Sequence, residues 1–573
     1  MNRRLWASVT ALVSTAALAA GLAAPAAAAP DAASARAPKQ TAAQRTVAAM
    51  QPGWNLGNTL DAVGPDETAW GNPRVTEDLL DAVEDAGFNS IRIPVTFGQH
   101  QGPAPEYAVD PAFMDRVEEV VDMALDEKLY VLLDVHHDSW QWINQMPTRH
   151  DEVVAQYDAL WRQLADRFRD HSHRLLLESV NEPQFAGVDD ATAYALLDEL
   201  NVRFHEIVRA TGGRNADRVL VLPTLHTNAE QGRLDALTAT FDALDDPNLA
   251  ATVHYYGYWP FSVNVAGGFR YDATAQADTE GTFQRVHDSF VAQGVPVILG
   301  EYGLLGFDRH TGTIEQGEKL KFFEHVGHLA RTTGVTTMLW DNGQHLDRTT
   351  FAWQDPALFA QIAESWKRRS GTASTDQVFV TPGAVTDQTI TLQPNGNRVK
   401  DVRLDGRRLK DREYRLEGDT LTLPAALLQR VVGPDAAFGT RAVLEVRFSK
   451  GLPWRIEVVA ADAPVLADAT GTVDDFAVPT DFRGDRLATM EARYADGTNA
   501  GPHSWTSFKE FDVTFAPEDG QIVLRPAFFA EVTDGAAVHL TFHFWSGRTV
   551  DYTVTRTGAE VTGTATTGAA PVS

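Results

Sequence analysis

Eight times between Gln44 and Arg369 a short apolar run gives way to an amphipathic or polar stretch, and this alternation constrains the fold more tightly than any other feature. The runs are Gly53–Asn58, Ser90–Val95, Tyr130–His137, Arg174–Glu182, Val219–Leu225, Ala251–Tyr256, Pro296–Gly303 and Thr336–Gly343. Each has the length of an interior strand. Between them, Pro111–Glu127, Asp151–Phe168, Ala191–Thr211 and Thr313–Thr333 carry helical periodicity. Eight strand–helix units in roughly 300 residues predict an α/β fold, a (β/α)8 TIM barrel. A doubly wound open sheet is the alternative, but it usually carries a glycine-rich phosphate loop after its first strand, and none is present.

The rest of the chain reads differently. Residues 1–29 form a signal peptide: Arg3 and Arg4, an alanine-rich apolar stretch from Leu5 to Leu22, and small residues at Ala27-Ala28-Ala29. Residues 30–43 read as a flexible lead-in and 44–369 as the barrel. Small polar residues over 370–376 read as a linker. Short alternating runs over 377–460, from Val378–Val380 to Trp454–Val459, predict a β-sandwich. A second all-β unit spans 461–563, with runs at Arg486–Tyr494, Ser504–Phe515, Ile522–Ala527, Ala537–Phe544 and Arg548–Arg556, and 564–573 read as a disordered tail. No segment after the leader has the roughly twenty apolar residues that span a bilayer, so a secreted, extracellular chain is expected. A net charge of −28 argues against nucleic acid or an anionic membrane as partner. With no cysteine in the chain, disulfides, thiol nucleophiles and Cys-ligated metals are excluded.

The residues at the strand ends carry the chemistry. Glu182, in Asn181-Glu182-Pro183, and Glu301, in Gly300-Glu301-Tyr302-Gly303, each end a buried run. Two carboxyls facing one another across a barrel mouth are what glycosidic-bond hydrolysis requires. The other ends supply Asn55, Arg92, His136, His137, His254, Tyr256 and Trp340, with Trp140, Trp259 and Trp353 in neighbouring loops. Carboxylates, amides and imidazoles bond sugar hydroxyls while indoles stack on pyranose faces. Trp54 is expected in the core. His136 and His137 could suggest a metal, but neighbours on a strand point to opposite faces, so neither a metal nor a cofactor is expected. No Gly-x-Ser-x-Gly elbow supports serine hydrolysis.

The runs Gly53-Trp54-Asn55-Leu56-Gly57-Asn58-Thr59-Leu60-Asp61-Ala62 and Trp70-Gly71-Asn72-Pro73, with both glutamate motifs, resemble family 5 of the glycoside hydrolases. The subgroup most similar in pattern contains endo-β-1,4-glucanases that also act on xyloglucan or mixed-linkage glucan. The resemblance implies a retaining double displacement with Glu182 as acid/base and Glu301 as nucleophile. It implies that Arg92 and Tyr256 bond Glu301 and that His254 contacts Glu182. It further implies that Asn181 meets the 2-hydroxyl, that His136 and His137 hold hydroxyls, and that Trp340 is a stacking floor. The acid is expected to have a raised pKa. The β units resemble an immunoglobulin-like module followed by a carbohydrate-binding module, with Trp505 its candidate sugar contact. The expected substrate is a β-glucan polysaccharide and the expected state a monomer. A mannanase or xylanase on the same barrel, and a binding protein without catalysis, are the alternatives.

Overall fold

The structure, a computed structural model, describes residues 40–566. The expected signal peptide, most of the lead-in and the last seven residues lie outside the described residues. Eight parallel strands close into a barrel in sequence order: β1 (Gly53–Asn55), β2 (Ser90–Val95), β3 (Tyr130–Val135), β4 (Leu175–Glu178), β5 (Leu220–Pro223), β6 (Leu249–Tyr255), β7 (Val297–Tyr302) and β8 (Thr336–Leu339). Outer helices include Pro111–Asp126, His150–Arg167, Asp190–Ala210 and Gln316–Thr333. Several strands stop short of their expected ends. Asn58, His137, Glu182 and Gly343 lie beyond β1, β3, β4 and β8, where the backbone leaves the sheet and turns over the barrel mouth.

Alternation along the strands sorts the barrel interior into layers. Leu132, Leu176, Val221, Ile298 and Met338 pack with Ala43, Val47 and Met50 into one apolar cluster. The last three belong to or follow the helix Ala42–Ala49, which closes the lower end of the barrel. Thr41 caps that helix and Gln44 bonds back to the Thr41 backbone, so the lead-in gives way to ordered structure at Thr41, before Ala43. Two residues further along β3 and β4, the same face presents Asp134 and Glu178. Apolar floor and charged ceiling are thus written two residues apart on the same strands.

The stretch read as a linker is packed. Ser370 and Thr372 are buried, the Ser370 N–H donates to Glu324 at 3.0 Å, and Thr372–Ala373 is a strand paired with Gln388–Gln393. A five-stranded and a four-stranded sheet follow as the first sandwich, with a core that includes Leu444, Trp454, Ile456 and Val458. The second sandwich also has a four-stranded and a five-stranded sheet. Its last strand, Glu560–Ala565, takes in Thr564 and Ala565, which the sequence placed in the tail. The run expected as a strand over Ser504–Phe515 is mostly loop, with only Phe515 in a strand, Phe515–Glu518. That loop crosses to the barrel. The Phe511 N–H donates to the Asn264 carbonyl at 3.1 Å, the Asn264 amide donates to the Ala488 carbonyl at 3.0 Å, and Arg309 pairs with Glu510 at 2.7 Å.

Candidate active site

Arg92 organises the charged layer. Its guanidinium has no exposure and donates to Asp134 at 2.6 Å, to both oxygens of Glu178 at 2.9 and 3.1 Å, to Glu301 at 2.7 Å and to Asn181 at 2.8 Å. A planar fork of five N–H donors suits such a cluster of acceptors, which a lysine could not span. Asn55 is sealed beneath it, accepting from Arg92 at 3.2 Å and donating to the Gly300 carbonyl at 2.9 Å. Burial pushes the Asp134 carboxyl up to about 7 against the pull of Arg92. His136 donates through Nδ1 to that carboxylate at 2.8 Å, which leaves Nε2 facing the Asn181 amide at 3.5 Å. Burial holds the His136 imidazole well below its ordinary pKa, so this ring is neutral.

A bulge aims the nucleophile candidate. Val253 pairs with Leu299 but His254 pairs with Glu301, so Gly300 is the extra residue in β7. A Cβ on Gly300 would lie 2.7 Å from Thr252 Oγ1 and 3.1 Å from His254 Nε2, which explains glycine at the bulge. Glu301 accepts from the Tyr256 hydroxyl at 2.6 Å and lies 3.5 Å from His254 Nδ1. Burial raises its pKa, but His254 and Arg92 outweigh that and hold it below its ordinary value.

Glu182 sits on a different kind of backbone. Its φ is +40°, a left-handed conformation that costs a side-chain-bearing residue about 1–3 kcal/mol. The Pro183 carbonyl accepts from the His226 N–H at 2.8 Å, and His226 and Thr227 are themselves left-handed, at φ +55° and +49°. Two strained turns, at the ends of β4 and β5, are therefore tied together. The Glu182 carboxylate bonds His254 Nδ1 at 3.0 Å. Burial raises its pKa, yet the His254 bond and charge bring it below the ordinary value. The raised pKa expected for the acid is not what the resting site has: burial lowers the His254 pKa, but Glu301 and Glu182 outweigh it and raise it, so the proton sits on the imidazole. One oxygen of Glu182, one of Glu301 and one nitrogen of His254 all lie within 4.8 Å of one another.

These groups open into a cleft of about 510 Å³ lined by His136, His137, Trp140, Asn181, Glu182, Tyr256, Trp259, Glu301 and Trp340. Trp340 lies parallel to His136, with ring centres 6.0 Å apart and planes 5° apart. A Cβ on Gly57 would meet the Trp340 ring at 2.9 Å, so glycine there makes room for it. The exposed tryptophans among the described residues, Trp70, Trp140, Trp259 and Trp505, all flank this cleft: the rings of Trp70 and Trp140 lie 5.1 and 5.3 Å from that of His137, and Trp259 is 6.2 Å from Trp505. Indoles left in water around a polar recess mark a surface for sugar faces.

Residues 55–346 match the family model described as cellulase (glycosyl hydrolase family 5). The chain belongs to glycosyl hydrolase family 5. Residues 372–458 match carbohydrate binding domain X2, and 462–564 match a second carbohydrate binding domain, CBM46. The family 5 relatives include endoglucanase B of Paenibacillus lautus, 51% identical over 92% of this chain and 94% of that one. Among solved structures, the full-length tri-modular endo-β-1,4-glucanase B from Bacillus halodurans is 49% identical, covers 92% of this chain and 100% of its own, and has a TM-score of 0.89. A tri-modular endo-β-1,4-glucanase from Bacillus licheniformis, complexed with cellotetraose, is 32% identical over 92% of this chain and 100% of its own, with a TM-score of 0.76.

Within this family 5 site two expected substrate contacts are elsewhere. Asn55 has no exposure and bonds only protein groups, because the short β1 ends below the cleft. Trp353 stacks on Phe359 with centres 3.6 Å apart and packs against the barrel core, so it braces an outer helix. Trp54 is in the core as expected, donating to Asp341 at 3.0 Å. His136 and His137 do not face apart as expected: β3 ends at Val135, and both rings line the cleft 4.4 Å apart. With Asp61 they form a cluster of metal-ligand type; His137 Nδ1 accepts the Trp140 indole N–H at 2.9 Å, and its Nε2 lies 3.4 Å from Asp61. Asp134, Glu178 and Asp308 were not among the expected site residues, and Trp70 was noted only as part of a family motif. Asp134 and Glu178 were legible as polar residues breaking apolar runs; Asp308 lines the cleft from the short helix Leu305–Arg309 after β7, whose direction no local pattern fixes.

Proposed function

We propose that the chain is a secreted, monomeric endo-acting β-1,4-glucanase that hydrolyses by double displacement with retention, with Glu301 as nucleophile and Glu182 as acid/base. The observation that carries this reading is the approach of the two carboxylates to within 4.8 Å. Retaining enzymes hold their carboxyl groups about 5–5.5 Å apart, whereas inverting ones leave about 6.5–9.5 Å for a water. In the first step a Glu301 oxygen bonds the anomeric carbon, the glycosidic C–O bond breaks, and the leaving oxygen takes a proton from Glu182. In the second, Glu182 removes a proton from water, the oxygen bonds the anomeric carbon, and Glu301 departs as carboxylate.

The His254 bond supplies what Glu182 lacks at rest. The shared proton sits on Nδ1, 3.0 Å from Glu182, and passes to the carboxylate when a bound sugar excludes water from the pair. Asn181, fixed by Arg92 at 2.8 Å, is placed for the 2-hydroxyl. An unbranched or branched β-glucan is supported by the open cleft and its exposed indoles, with Trp505 of the last module continuing the surface from Trp259. Export rests on residues 1–29 and agrees with the absence, among the described residues, of a helix long and apolar enough to cross a membrane.

Proton NMR of the first-formed anomer from a soluble β-1,4-glucan tests the reading, with mannan and xylan alongside. β-Anomer first, from glucans, is expected. α-Anomer first would sink the double displacement, and release from mannan or xylan alone would overturn the substrate.

A further inference from the structure

A second recess of about 420 Å³ adjoins the cleft and shares Glu182, Tyr256 and Trp259 with it. It does not include Glu301, His136 or Trp340. Since Glu182 protonates the departing oxygen in the proposed reaction, a recess holding Glu182 without the nucleophile lies on the leaving-group side. One wall comes from the end of β6 and Trp259, and the opposite wall from the turn after β5, the one barrel strand to which the sequence reading gave no functional residue. There His226 is exposed while its own backbone is left-handed and its N–H is fixed to Pro183, the residue after Glu182. Thr227 beside it is buried, left-handed and bonded through its hydroxyl to the His226 carbonyl at 2.6 Å. A fold that holds two successive side-chain-bearing residues in this conformation, with the first projecting into a recess, is the usual signature of a functional turn.

We infer that His226 is a specificity-determining contact for the leaving-group sugar, taking hydroxyls of a glucosyl unit held between the β5 turn and Trp259. The inference rests on the retaining reading above. Asn228, Glu230 and Arg285 add further hydroxyl partners to the same recess. Partial desolvation against the recess wall, reinforced by Arg233, lowers the His226 pKa, so the ring is neutral and offers one donor and one acceptor.

The test is His226→Asn in the full chain, since asparagine tolerates the left-handed backbone and keeps the N–H bond to Pro183. kcat/KM is compared on cellopentaose, whose leaving group fills the recess, and on 4-nitrophenyl β-cellobioside, whose aryl group carries no sugar. A loss of roughly tenfold on cellopentaose, with the aryl substrate within about twofold and the favoured cleavage position shifted, is expected. Equal losses on both would mean that His226 acts through Glu182, and no loss on either would mean that it touches nothing; each overturns the inference. If the unaltered chain hydrolyses the aryl substrate without retention, the underlying reading fails and takes this one with it.

Discussion

The deep end of the cleft and its outer rim are built in opposite ways. At the deep end Arg92 and Glu178 have no exposure, Glu301 has almost none, and every charge faces a partner from another barrel strand. At the rim Trp259 and Trp505 are 43% and 61% exposed and come from different modules, joined by few polar contacts such as Arg309–Glu510. Chemistry is thus fixed inside one domain, while reach along the polymer depends on how a second domain sits against it. Damage should be large and substrate-independent at the deep end, and small and substrate-dependent at the rim.

The largest effect is expected for Glu301→Gln, which removes the proposed nucleophile and should lower kcat by at least ~10³-fold on every substrate, with thermal unfolding little changed. Glu182→Gln should separate from it. On a substrate with a good aryl leaving group its first step should survive far better than on a β-glucan, because that oxygen needs little protonation. Parallel losses on both substrates in stopped-assay kinetics would contradict the acid assignment.

Arg92→Met comes next, and it probes the layer as a structure. Asp134, Glu178 and Glu301 would keep their burial but lose the shared cation. Breaking a buried ion cluster in this way costs about 3–5 kcal/mol, measurable as a lower denaturation midpoint of the barrel. The pKa of Glu301 should rise at the same time, because Arg92, after His254, is a main charge holding it down.

The pH dependence follows from the same groups. Glu301 must be ionised, and its pKa is below the ordinary 4.5, so activity should fall only as pH drops through that lowered value. The proton shared by His254 and Glu182 must be present, and the His254 pKa is above the ordinary 6.5, so activity should fall as pH rises past it. A bell in kcat/KM with those limbs is expected, and Arg92→Met should move its acid limb upward. An alkaline limb below 6.5 would remove His254 from the proton path.

The same contrast explains what was legible in the sequence. The barrel and the deep residues follow from local patterns: eight apolar runs of strand length, two of them leading into Glu182 and Glu301, with no glycine-rich phosphate loop to favour an open sheet. Asp134 and Glu178 were equally accessible, as inward positions two residues past Leu132 and Leu176. Asn55 and Trp353 were misplaced because strand length and loop direction decide whether a strand-end side chain reaches the cleft or is sealed under it. The resting charge of Glu182 depends on a contact 72 residues away in the chain, with His254, and no local feature reports its sign. Ser504–Phe515 was expected as a strand, yet its aromatics Trp505, Phe508 and Phe511 stand three residues apart instead of alternating, and Phe511 serves a loop that docks on the barrel.

Trp505→Ala gives the smallest effect and the most selective one. An indole stacked on a sugar contributes about 0.5–1.5 kcal/mol, or roughly two- to tenfold in KM, and only for substrates long or branched enough to reach it. Short aryl cellobiosides should be untouched, while xyloglucan or mixed-linkage glucan should bind more weakly with kcat preserved. Arg309→Ala loosens the joint instead of removing the platform. Its pair with Glu510 is partly exposed and contributes at most about 1 kcal/mol, so its effect should shrink further at high salt, whereas that of Trp505→Ala should not. Steady-state kinetics on a branched glucan at two ionic strengths distinguish the two variants. If neither changes KM on any polymer, the last module's contact with the barrel is structural and the working cleft ends at Trp259.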